Sequence, residues 1–115
     1  APDTGPIVKG GSDIMEVLNA YSSLVRHVHL KDYIGGPVQY DEEGNYIDPT
    51  GYVGYTPIGH GSLPMPEIFA FLERIDFQDL VMVELDATPR SPRLPREAAA
   101  MSKRYLQQVL GQSFR

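Results

Sequence analysis

Two segments, 24–30 and 80–85, constrain this chain more than any other feature. Both are short, rich in Val and Leu, and turn ionisable at alternate positions toward their ends. Successive side chains of a strand point to opposite faces. Val25, His27, His29 and Lys31 therefore share one face of the first segment, with Leu24, Val28 and Leu30 on the other. In the second, Leu80, Met82, Glu84 and Asp86 share a face opposite Val81, Val83 and Leu85. A strand covered on both sides reads as a nearly continuous apolar run. These two depart from that pattern on one face only, increasingly toward their C-terminal ends. Ionisable groups buried there are costly unless they are paired or bound to a metal. Two converging polar strand ends therefore suggest a site.

The remaining pattern supplies helices around the strands. Asp13 is an N-cap with Glu16 three residues on, the spacing of a capping box. Ile14, Val17, Leu18 and Tyr21 then repeat at helical spacing, which predicts a helix over about 14–22. Pro64 or Pro66 suits the start of a second helix, with Ile68, Phe69, Leu72 and Ile75 as its apolar stripe. A last helix is predicted from about Pro95 to Leu110, with Ala98, Met101, Tyr105, Leu106 and Val109 inward and Gly111 at its C-cap. Asp3-Thr4-Gly5-Pro6 opens with no strand before it, and Gly10-Gly11-Ser12 reads as a loop. Strands alternating with helices predict an α/β fold in which 24–30 and 80–85 pair in parallel through a right-handed crossover. The Pro- and Arg-rich stretch 87–95 reads as a solvated loop.

The stretch from Tyr33 to Leu63 is too long for a passive connection, since such loops run to about 2–6 residues. Val38-Gln39-Tyr40 and Tyr46-Ile47 suggest a hairpin around Asp41-Glu42-Glu43-Gly44-Asn45. Tyr33, Tyr40, Tyr46, Tyr52 and Tyr55 all lie here. Two readings stay open: a loop packed on itself or on a subunit contact, and a lid whose aromatic faces shield a substrate.

Charge and composition narrow the classes. The net charge of -5 and the lack of a basic stripe argue against nucleic-acid binding. The chain has no cysteine, which excludes disulfides and thiolate metal sites and fits a reducing, cytoplasmic location. No apolar run approaches the roughly 18 residues of a membrane span, and no signal peptide is readable. The chain starts Ala1-Pro2-Asp3 without an initiator Met, as a processed product or fragment would.

Each polar residue has a structural alternative. His29 is either a metal ligand or a hydrogen-bonded strand residue, and since His27 points the same way, at least one of the two is expected to have a polar partner. Glu84 has few structural explanations in a Val-rich strand. Asp3 stands in Asp-Thr-Gly, which is also a common turn. Lys31 and Asp32 are read alternatively as an ion pair at the strand end. His60, between Gly59 and Gly61, reads as loop structure, with contact to a substrate as the alternative.

His27-Val28-His29-Leu30-Lys31-Asp32, a long loop, and then Val81-Met82-Val83-Glu84-Leu85-Asp86 resemble the xylose-isomerase-like TIM barrels. That group includes sugar epimerases, hydroxypyruvate isomerases and inosose dehydratases. Asp3-Thr4-Gly5 resembles the end of that family's sixth strand. The resemblance implies that residues 1–115 form one partial domain, a C-terminal segment of a (β/α)₈ barrel from the end of strand six to helix eight, with 33–63 as a long active-site loop. It implies Asp3, His29 and Glu84 as three ligands of a divalent metal: Mn²⁺, Mg²⁺, Co²⁺ or Zn²⁺, among which the donors do not choose. The family's fourth ligand, a Glu on an earlier strand, has no counterpart here. Pro6 stands where the family often has a substrate-contacting His.

The implied chemistry is proton transfer next to a carbonyl through an enediolate, in a sugar isomerase or epimerase, with Glu84 or the missing fourth-ligand Glu moving the proton and Lys31 stabilising the oxyanion. His27, His60 and Tyr55 are the expected substrate contacts, and the substrate a small sugar or keto-polyol. An inosose dehydratase-like lyase is an alternative on the same barrel. An apurinic-site endonuclease-like barrel and a non-catalytic interaction module are the others. No nucleic-acid or membrane partner is expected. The polar inner face predicts a protein partner, either the remainder of a barrel or another copy of the chain, and an isolated chain that lacks isomerase activity.

Overall fold

The structure is a computed structural model that describes residues 1–35, 39–47, 54–85 and 93–111. In chain order its elements are α1 (Thr4–Lys9), α2 (Ile14–Ala20), a 3-10 turn (Ser22–Leu24), β1 (Val28–Leu30), β2 (Asp32–Tyr33), β3 (Gln39–Tyr40), β4 (Tyr46–Ile47), β5 (Tyr55–Thr56), α3 (Met65–Arg74), β6 (Val81–Val83) and α4 (Pro95–Gln108).

β1 and β6 pair in parallel, with Val28 opposite Val81, His29 opposite Met82 and Leu30 opposite Val83. Asp3 forms a parallel bridge to His29, whose main-chain N–H donates to the Pro2 carbonyl at 2.9 Å. The N-terminal residues thus run beside β1, and three chain stretches lie abreast. Val28 and Leu30 are fully buried and pack in one core with Ile14 and Leu18 of α2 and Ile68, Phe71 and Leu72 of α3. The α/β order and the parallel pair fit part of a (β/α)₈ barrel. No helix among the described residues is long and apolar enough to cross a membrane.

Several sequence expectations need correction. The first strand is shorter than 24–30. The Leu24 and Val25 N–H groups bond Tyr21 and Ser22 within the 3-10 turn, so they are not free for a ladder. Strand alternation starts only at Val28, which leaves Leu24 exposed and Val25 buried, the reverse of the expected faces. The helix expected to reach 22 stops at Ala20. In α4, Val109 lies past the helix end and is 63% exposed, while Ser102 is buried in its place. Ser102 Oγ accepts the Ile58 N–H at 2.9 Å, which ties α4 to the turn after β5. The sequence also gave no sign of α1, because Gly5 and Pro6 are poor helix formers. Both sit in the first turn, where a missing N–H costs little.

The expected hairpin is present as β3 paired antiparallel with β4. Asp41 Oδ1 accepts N–H bonds from Glu43 at 3.0 Å and Asn45 at 2.8 Å, and Gly44 supplies a φ of 84°. The Asn45 main-chain bond is the main reason that the Asp41 carboxyl titrates below its usual range. Val38, Tyr52, Asp86 and the stretch 86–92 lie outside the described residues.

Candidate metal centre

The site begins with Thr4. It is fully buried, and its Oγ1 both donates to the Lys31 carbonyl at 2.7 Å and accepts the Lys31 N–H at 2.8 Å. This clasp fixes the Asp3 backbone against the end of β1. Gly5 follows because a Cβ there would meet Lys31 Cβ at 2.8 Å and Tyr55 Cε1 at 3.0 Å. On the other side of β1, the Glu84 N–H donates to Leu30 O at 3.0 Å and continues the parallel ladder. Asp3, His29 and Glu84 are therefore brought side by side by three neighbouring stretches.

One ligand atom from each of these three residues lies within 4.8 Å of the others. His29 Nδ1 is 3.2 Å from Glu84 Oε2. Lys31 Nζ lies 3.3 Å from Asp3 Oδ2 and 3.4 Å from Glu84 Oε2, with its side chain 9% exposed. Asp3 Oδ1 is buried and accepts no hydrogen bond among the described residues. A buried carboxylate oxygen without a donor is costly in water's absence. A hard divalent cation would satisfy it, and the carboxylate–imidazole–carboxylate set suits such an ion.

Tyr55 and Lys31 lie beside each other, with Lys31 Nζ 5.3 Å from the ring centre, Lys9 Nζ 5.4 Å from it, and Tyr33 in an edge contact. His27 is not in the cluster. Its Nδ1 is 3.5 Å from Asp79 Oδ1, both half-exposed and both ahead of their strands, at the opposite end of the sheet. His60 is exposed and lines a shallow cleft with Arg104 and Tyr105 of α4. A wider cleft of about 510 Å³, lined by Arg26, Asp76 and Asp79, also opens away from the three candidate ligands.

Lys31 and Asp32 do not pair with each other, contrary to the sequence alternative. Neighbouring strand residues point to opposite sides. Lys31 joins the candidate ligands, whereas Asp32 turns toward the returning loop. Asp32 is fully buried and accepts four main-chain N–H bonds: Tyr33 and Leu63 on Oδ1 at 2.9 and 3.2 Å, Gly59 and Gly61 on Oδ2 at 2.9 and 3.1 Å. A Cβ at Gly61 would run into this carboxylate. Sequence reasoning missed that role, although the Gly59-His60-Gly61 run was a usable signal for close backbone approach. It also missed the Thr4 clasp.

No family model matches the chain. Curated relatives do. An inosose dehydratase of Clostridium beijerinckii is 26% identical over 111 residues, covering 95% of this chain and 37% of the relative. Inosose dehydratase 2 of Bacillus cereus is 28% identical over 111 residues, with the same coverage. That of Clostridium botulinum is 29% identical over 109 residues. The chain is similar to inosose dehydratases. It spans 37% of the length of the first of these relatives, so the likeness to inosose dehydratase covers nearly all of this chain and a minor part of that enzyme.

Proposed function

We propose that this chain is the C-terminal segment of a (β/α)₈ barrel, from the end of strand six to helix eight, and carries part of the active site of a divalent-metal enzyme acting on a small keto-polyol or sugar. Residues 1–115 are one partial domain, with 33–63 as a loop over the site. The observation that carries the reading is that ligand atoms of Asp3, His29 and Glu84 lie within 4.8 Å of one another, with a second support in the buried Asp3 Oδ1 that has no donor among the described residues. These three residues would hold Mn²⁺, Mg²⁺, Co²⁺ or Zn²⁺, which as a Lewis acid lowers the cost of negative charge on a carbonyl oxygen.

The chain's own groups divide the remaining work. A carboxylate, Glu84 or one from beyond this chain, takes the proton from the carbon next to the carbonyl, leaving an enediolate. Lys31, 3.4 Å from Glu84, supplies positive charge and N–H donors for the oxygen on which charge builds. Tyr55 packs beside Lys31 and limits water on that side. Loss of the hydroxyl from the next carbon, with a proton from an acid, then gives water and an unsaturated ketone. Return of the proton to the former carbonyl carbon instead gives isomerisation, and its return to the opposite face of the same carbon gives epimerisation.

The names of the relatives favour the first outcome, with an inosose as substrate. Isomerase or epimerase chemistry is the second reading, since it uses the same first step. The remainder of a barrel or another copy of the chain would cover the exposed face carrying Leu80 and Met82. The test is to incubate the protein, purified together with the remainder of the barrel, with an inosose and Mn²⁺ in deuterated water. Water loss seen by proton NMR supports the dehydratase, and deuterium uptake without water loss supports the isomerase. Glu84→Gln should lower the rate by about 100-fold or more. Turnover that survives both chelation and this substitution would refute the site.

A further inference from the structure

Lys31 carries more than a donor role. Its side chain is nine-tenths buried, and its ammonium contacts both carboxylates of the candidate centre. It shares Glu84 Oε2 with His29, while Asp3 keeps a second oxygen, Oδ1, with no donor. A divalent cation approaching this set meets a fixed positive charge that already uses the negative charge it needs. Like charges a few ångströms apart in a poorly hydrated site repel strongly. The Glu84 oxygen beside His29, Oε2, is also the one that Lys31 contacts, so a metal held between His29 and Glu84 competes with the ammonium there.

We propose that Lys31 is a tethered counter-ion that a divalent metal displaces from Glu84. In the metal-free protein it neutralises the two carboxylates and keeps the three candidate ligands together. Metal entry costs that pairing, so Lys31 weakens metal binding. Its release frees an ammonium beside the metal for a negatively polarised ligand oxygen. Metal binding therefore precedes productive binding of an oxygen-bearing ligand. This inference rests on the metal reading above.

The experiment is titration calorimetry of the purified protein with Mn²⁺, together with melting curves with and without the ion. Lys31→Met and Lys31→Gln should each bind Mn²⁺ about tenfold or more tightly than the parent. Both should melt lower without metal and gain more from it. Lys31→Gln keeps length and hydrogen-bonding capacity, so it serves if Lys31→Met does not fold. Lys31→Arg should retain the weak parental affinity. Unchanged or weaker binding in the neutral variants, with the parent still binding, overturns the exchange and leaves the metal centre standing. Failure of every form to bind Mn²⁺, Co²⁺ or Zn²⁺ overturns both.

Discussion

Thr4 and Lys31 exchange two hydrogen bonds through one hydroxyl, which donates to the Lys31 carbonyl and accepts from its N–H. Valine has the same shape and can do neither. Thr4→Val should leave two buried main-chain groups unsatisfied and cost about 1–3 kcal/mol, read by urea unfolding. Thr4→Ser should recover most of the loss. Equal stability of the Val and Thr forms would show that the clasp is dispensable.

Asp32 gathers four N–H donors in a fully buried position. In Asp32→Asn an amide nitrogen faces donors and the charge is gone. The expected loss is about 2–4 kcal/mol. It should appear as faster proteolysis between residues 54 and 63, with the hairpin around Asp41 unaffected. Cleavage at parental rates would count against the anchoring role.

Tyr105 gives a pH signature. Burial, then the negative charges of Asp32 and Glu67, push its phenol above the ordinary 10.0. The folded protein thus holds the proton more tightly than the unfolded chain. That contribution is complete below the unfolded value and fades as pH rises through the higher folded one. An ultraviolet difference titration against Tyr105→Phe should show one tyrosinate appearing late in the alkaline range. Ionisation at or below the ordinary value would contradict this.

His29 is only half-buried, and its ring contacts Glu84 at the surface of the centre. His29→Ala should therefore change unfolding free energy by less than about 1 kcal/mol. The same change should remove most Mn²⁺ binding by calorimetry. A large stability loss would make His29 a structural residue, and undiminished metal binding would exclude it as a ligand.

What the sequence made legible follows physical range. Period-two polarity at His29 and Glu84, and the N-cap at Asp13, are local signals, and each appears where alternation or capping places it. The Asp41 hairpin is equally local, set by one carboxylate and Gly44. Two of the misreadings concern groups whose partners lie far along the chain. Ser102 is buried because Ile58 needs an acceptor. Asp32 turns from Lys31 because the loop returns to it. Val25 and Leu24 exchange faces because a 3-10 turn breaks the alternation before β1 begins. The first two are not encoded in a window of neighbouring residues, whereas the third is a local turn that strand periodicity alone does not reveal.

Asp3, His29 and Glu84 come from three stretches separated by helices and by the long loop. A pair of ligands one turn apart on a helix can seize an ion in a nearly unfolded chain. This set cannot. The centre exists only after the ends of the chain segment have met across β1, a contact of high sequence separation that forms slowly. A divalent ion should accordingly leave the refolding rate almost unchanged and slow unfolding instead, so its signature is kinetic persistence of the finished fold.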